Sequence, residues 1–184
     1  MKTWTNIWLI ASGCFALASG TVFGQESAVV VLFPKDKPVM ELDFPAGFKS
    51  AFRKDGTCLS VGPTSVMALA AWGKVKDAAA AKSGLSEFAK SFLLRSLSFR
   101  EVNTPSVEDA KLTRMFDEQE RVTAKMLTAT GKNSDGDEMS VSVTAFPWAH
   151  RYFVLFAVCN SPNREQLEKD RDFVLNSVTD INDD

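Results

Sequence analysis

Arg151-Tyr152-Phe153-Val154-Leu155-Phe156-Ala157-Val158-Cys159 is apolar or aromatic at every position after the first. Along a strand, side chains alternate between two faces. Tyr152, Val154, Phe156 and Val158 then point one way, and Phe153, Leu155, Ala157 and Cys159 the other. A strand with no polar face has to be covered on both sides. The stretch therefore predicts an interior strand of a sheet, with a layer packed on each face.

The flanking sequence supplies the rest of such a sheet. Glu138–Phe146 alternates, with Met139, Val141, Val143 and Ala145 on one side and Ser140, Ser142 and Thr144 on the other. That pattern predicts a half-buried strand with its hydroxyls outward. Asn133–Asp137 (NSDGD) is a turn. Arg121–Thr130 and Lys111–Phe116 read as earlier strands, which makes an antiparallel meander, and Phe146–His150 reads as a loop. Nearer the N-terminus, Val39–Phe44 alternates like a half-buried strand. Asp55-Gly56 is a hairpin turn between Phe48–Arg53 and Thr57–Val61. Ala28–Phe33 is a β-branched run, either a first strand or a segment draped over the core. Val66–Val75 admits a helix or a second buried strand.

Two helices are the candidate covers for the sheet. In Gly84–Leu97, Leu85, Phe88, Ala89, Phe92 and Leu93 fall on one face. The second runs over Pro162–Val178, with Ser161 as N-cap and Pro162 in the first position. Glu165 and Lys169 form a favourable i, i+4 pair there.

The first 24 residues read as an export signal. Lys2 is the only charge before Glu26, and an apolar run spans Ile7–Ala18, shorter than the ~20 residues of a membrane span. Cleavage near Gln25 leaves a chain with no transmembrane span. An alternative is a lipoprotein box, Ala11-Ser12-Gly13-Cys14, in which Cys14 carries lipid. Against it, Ala stands where such boxes favour Leu, and the apolar run continues past the cysteine. Residues 25–38 form an N-terminal segment, 39–181 a single α+β domain and 182–184 an acidic tail.

Without the signal the chain carries 20 basic and 23 acidic groups, because Lys2 alone is lost. That mild acidity gives no electrostatic case for nucleic acid or an anionic membrane. Cys58 and Cys159 then remain. In an oxidising compartment they either pair as a disulfide or stay as two buried free thiols.

The ordered set of motifs resembles one family. Leu42-Asp43-Phe44-Pro45-Ala46-Gly47-Phe48 resembles the strand–Pro–x–Gly–aromatic opening of PsbP-like domains. Gly84-Leu85-Ser86-Glu87-Phe88-Ala89 resembles the start of their first helix, and Phe173-Val174-Leu175-Asn176-Ser177-Val178 the end of their last. The resemblance covers Val39–Ile181. It implies an antiparallel sheet sandwiched between helical layers, and favours a strand for Val66–Val75. The family includes a photosystem extrinsic subunit, a nuclear import factor that binds a small GTPase, and bacterial periplasmic proteins, and is mostly non-catalytic. No site residue carries over.

Chemistry read from the residues themselves is sparse. His150 is the only histidine, so a metal site built on several histidines is excluded. A Ser–His–acid triad would have to use His150, and no G-x-S-x-G elbow exists. Asn133-Ser134-Asp135-Gly136-Asp137-Glu138 shows some likeness to a calcium loop but lacks its terminal bidentate Glu and flanking helices. No cofactor is expected. The candidate binding residues are Trp148, His150 and Arg151, because Trp and Arg are favoured contact residues. Exposed, Trp148 would anchor a partner; folded back, it would cap the core. The expectation is an exported, non-catalytic domain acting through a protein partner in the bacterial envelope. The alternative is a small secreted enzyme with a site of another kind.

Overall fold

In the computed structural model, residues 28–73, 106–114, 117–148 and 151–181 are described, with backbone alone for 72–73, 106–114 and 117–123. The expected Gly84–Leu97 helix, the 1–24 signal and His150 lie outside the described residues.

The apolar stretch forms strand β9, Arg151–Asn160, and every side chain from Phe153 to Cys159 is buried. It is an interior strand, as its two apolar faces require. The other strands are β1 Val29–Phe33, β2 Met40–Phe44, β3 Lys49–Phe52, β4 Cys58–Val61, β5 Ser65–Gly73, β6 Ser106–Arg114, β7 Asp117–Lys132, β8 Glu138–Trp148 and β10 Thr179–Asp180. Helix α1 spans Arg164–Asn176. The large antiparallel sheet runs β3-β4-β5-β9-β8-β7-β6, with β9 held between β5 and β8. A small sheet, β1-β2-β10, stands apart from it.

The two faces of β9 organise two cores. Phe153, Leu155, Ala157 and Cys159 pack with Met67, Leu69, Phe146 and Trp148 of the large sheet. Phe33, Met40, Leu42 and Phe44 of the small sheet and Leu167, Val174 and Leu175 of α1 close over them. Phe33 meets Phe153 edge-on at 5.8 Å and stacks on Phe52 at 6.1 Å. The cover on this face is thus shared between helix α1 and a small sheet that includes the Ala28–Phe33 run. The opposite face gathers Ala68, Leu127, Ala129, Val141, Val143, Ala145, Val154, Phe156 and Val158.

Several local expectations need correction. The hydroxyl side of β8 does not face solvent: Ser140, Ser142 and Thr144 are all buried, and Arg171 of α1 reaches down to Ser142. β8 also continues through Pro147 to Trp148, where a loop was expected. Of the segment 66–75, residues 66–73 lie in strand β5, and 74–75 fall outside the described residues. Ser161 does not cap α1; its hydroxyl is engaged with that of Ser140 at 3.3 Å. Ser161–Asn163 instead forms a 3-10 turn, and α1 proper begins at Arg164. The Glu165–Lys169 pair forms at 2.7 Å.

The Pro45–Phe48 turn depends on two glycines. Gly47 adopts φ 85°, a left-handed conformation that costs other residues. Gly62 lies under the Phe48 ring, where an added Cβ would stand 2.4 Å from the nearest ring carbon.

Leu155 is 1 % exposed at the centre of the sheet. Leu155→Ala should cost about 2–5 kcal/mol in urea unfolding. Leu155→Asp should abolish the cooperative thermal transition, since an unpaired buried carboxylate has no partner there. A near-wild-type melt for the Asp variant would contradict the placement.

Candidate functional site

The residues singled out in the sequence are not gathered at one surface. Trp148 ends β8 and is 4 % exposed, packed in the core that also holds Phe146 and Phe153. It caps the core and is not an exposed anchor. Arg151, its register partner across the β8–β9 hairpin, is exposed. As register partners the two share a face, and they differ in burial: the indole is enclosed by the core, while Arg151, the first residue of β9, is exposed.

Cys58 and Cys159 are both buried free thiols. Cys58 stands opposite Leu69, and Cys159 opposite Ser65, four residues along β5 and two strands over. That register sets their Cα atoms about 16 Å apart, against the ~4.4–6.8 Å a disulfide needs. The structure does not bring them together. Burial raises each thiol from 9.0 to about 11. At Cys159, Glu168 and Asp170 push further in the same direction, and Arg164 opposes them.

The NSDGD loop is a hairpin turn. The Asn133 side-chain oxygen accepts from the backbone N–H groups of Asp135 (3.0 Å) and Asp137 (2.8 Å), and Gly136 takes φ 91°. Among the described residues no three His, Cys, Asp or Glu side chains are placed to hold a metal, and no helix is long and apolar enough to cross a membrane.

Sequence reading missed two features. One is a polar seam beneath α1. Register pairs Thr128 with Ser142 and Thr130 with Ser140, so four hydroxyl residues form a square on the floor of the sheet. Arg171, its side chain 8 % exposed, donates from Nη1 to Ser142 at 3.1 Å and pairs with Asp172 at 2.7 Å. The Asp170 carboxylate accepts from Gln166 (2.7 Å) and Ser65 (3.4 Å). A groove of about 260 Å³ opens between these hydroxyls and Arg164, Glu168 and Arg171. Both guanidiniums already hold carboxylates, Arg164 through Glu168 at 2.8 Å. The seam fixes α1 on the sheet.

The other feature is the outer face of the small sheet. Val30 and Leu32 of β1 are 58 % and 47 % exposed, while Val31 and Phe33 between and after them enter the core. Register places Asp43 opposite Val30 and Glu41 opposite Leu32. The face is an apolar pair beside an acidic pair. The sequence signal was the uninterrupted run VVVLF, which shows no polar side and so gave no hint of which residues face out.

No family model and no curated protein matches the chain. Solved structures do. The cyanobacterial PsbP (CyanoP) of Synechocystis sp. PCC 6803 aligns with TM-score 0.59 at 13 % identity, over 90 % of this chain and 99 % of that one. LpqN of Mycobacterium tuberculosis, described as involved in cell envelope biogenesis, aligns with TM-score 0.52 at 14 % identity, over 85 % and 91 %. A point mutant of Mog1 gives 0.52 at 8 % identity, over 85 % and 97 %. The fold is PsbP-like. At these identities the likeness is one of fold, and function has to be argued from this chain's own residues.

Three measurements test the interior. Cys58 and Cys159 should resist alkylation at neutral pH until the protein is denatured. Because their folded values lie above 9.0, their stabilising contribution is complete below pH 9 and lost as pH rises toward about 11. The Cys58→Ala/Cys159→Ala variant should flatten that part of the stability profile. Arg171→Met, which keeps most of the packing and removes the donor to Ser142, should cost about 1–3 kcal/mol in urea unfolding.

Proposed function

We propose that the chain is an exported, non-catalytic binding domain that works through a protein partner. The observation carrying this reading is the outer face of the small sheet. Val30 and Leu32 expose branched side chains together, and Asp43 and Glu41 rim them. Isolated exposed apolar residues are ordinary, but a paired apolar strip edged by charge has the make-up of a contact surface. Such a surface suits a macromolecular partner better than a small substrate, which is held in a concave site.

Two further considerations support the address. Residues 1–24 have the charge and length pattern of a secretory signal. A protein of the same fold, LpqN, is described as taking part in cell envelope biogenesis. The working location is therefore the space outside the cytoplasmic membrane, reached after cleavage near Gln25. Exposed Arg151, at the opposite strand end from the β7–β8 turn, is a second contact candidate.

Affinity capture from the native envelope with wild type and with Val30→Ser/Leu32→Ser tests the reading. The wild type should recover a partner that the variant loses, with unchanged thermal stability. Equal recovery by both would overturn it. Mass spectrometry of the mature N-terminus should find Gln25, free or cyclised; a lipidated Cys14 would replace the soluble form with an anchored one.

A further inference from the structure

We propose that the partner binds by strand addition: an extended segment carrying Lys or Arg at alternate positions pairs with the outer edge of β1. This rests on the partner-binding reading above and names its mode and chemistry.

β1 is the terminal strand of β1-β2-β10. Its ladder with β2 runs in unbroken register from Val29↔Phe44 to Phe33↔Met40, and among the described residues no strand pairs with its other side. An edge of this kind presents a row of N–H and C=O groups to any incoming chain. Natural edges are commonly blunted by an inserted charge, a proline or a bulge. β1 has none of these within its length; its five residues are VVVLF, and Pro34 and Lys35 come only after it. It is a backbone template flanked by exposed Val30 and Leu32, the arrangement that strand-adding partners use.

The acidic neighbours specify the occupant. Asp43 and Glu41 share the outer face with Val30 and Leu32, and neither forms an ion pair with a described residue. A strand added to β1 would lie about 10 Å from β2, two strand spacings away. A Lys or Arg on its outer face can lay its aliphatic stem across Val30 or Leu32 and bring its charge to Asp43 or Glu41. One occupant thus satisfies the open ladder, the apolar pair and the acids together. A second copy of this chain would not: β1 has no basic residue to offer, and pairing β1 with β1 leaves all four acids unanswered.

The probe is a synthetic peptide alternating Val and Lys. Its controls alternate Val and Glu, or carry N-methyl groups on either alternate set of amides. Amide hydrogen exchange on the full mature chain should show new protection at Val29–Phe33 with the Val/Lys peptide. The Val/Glu peptide should give none, and one of the two N-methylated forms should lose binding. Glu41→Lys/Asp43→Lys should weaken the Val/Lys peptide about fivefold, as expected for two exposed ion pairs. If both N-methylated forms bind as well as the parent, strand addition is wrong while the partner-binding face stands. The same holds if no peptide binds yet native capture still depends on Val30 and Leu32. A concentration-dependent dimer with β1 protected would overturn the basic occupant. Loss of any dependence on Val30 and Leu32 would overturn the reading beneath it.

Discussion

Burial of β9 on both faces is the constraint from which the rest follows. Phe153, Leu155, Ala157 and Cys159 demand one apolar cover, and Val154, Phe156 and Val158 demand another. Each fully buried side chain of this kind contributes roughly 1.5–3 kcal/mol. A strand so placed needs a partner on each edge as well. β5 and β8 fill those edges over almost the whole length of β9, and both are themselves largely buried. The small sheet then has a definite task. α1 alone is too narrow to cover the Phe153 face, and Phe33, Met40, Leu42 and Phe44 fill the remainder.

Covering that face brought polar groups inside. Placing α1 across β8 buried Ser140, Ser142, Asp170 and Arg171. Such groups are tolerated only when hydrogen-bonded. Here the bonds run between the elements: Arg171 to Ser142, Ser65 to Asp170, and Ser140 with Ser161. Apolar packing alone would let a helix slide or rotate on a sheet. Directional bonds from Asp170 and Arg171, and from Ser161 just before α1, fix its register.

The fold was legible where one face or both were uniformly apolar, as in β9, β2 and α1. β8 was misread for a physical reason. Ser-Val alternation ordinarily means a half-exposed strand, and the hydroxyls' partners are remote in sequence; Arg171 lies 29 residues from Ser142 and Asp170 105 from Ser65. No local pattern records such a bond. β5 stayed open between helix and strand, with only the family resemblance favouring a strand, because Ala, Leu and Met suit a helix equally. Trp148 was singled out by residue type, yet its burial depends on the direction in which the last turn of the β8 strand points it. Val30 and Leu32 were read only as part of an apolar run.

That last case separates local pattern from topology. VVVLF in β1 and the core of β9 have the same signature, apolar on both faces. β9 has a neighbour on each edge and is buried on both faces; β1 has a described neighbour on one edge only, and one open face. The difference lies in the order of strands, not in either segment. It also ties the proposed contact to the core. Val31, between Val30 and Leu32, and Phe33, after them, are buried, and Phe33 stacks on Phe52 and meets Phe153. The strand that offers the open ladder is therefore clamped by aromatic packing against β9. A template held this rigidly loses little conformational entropy when a partner strand arrives, so the ordering cost falls chiefly on the partner.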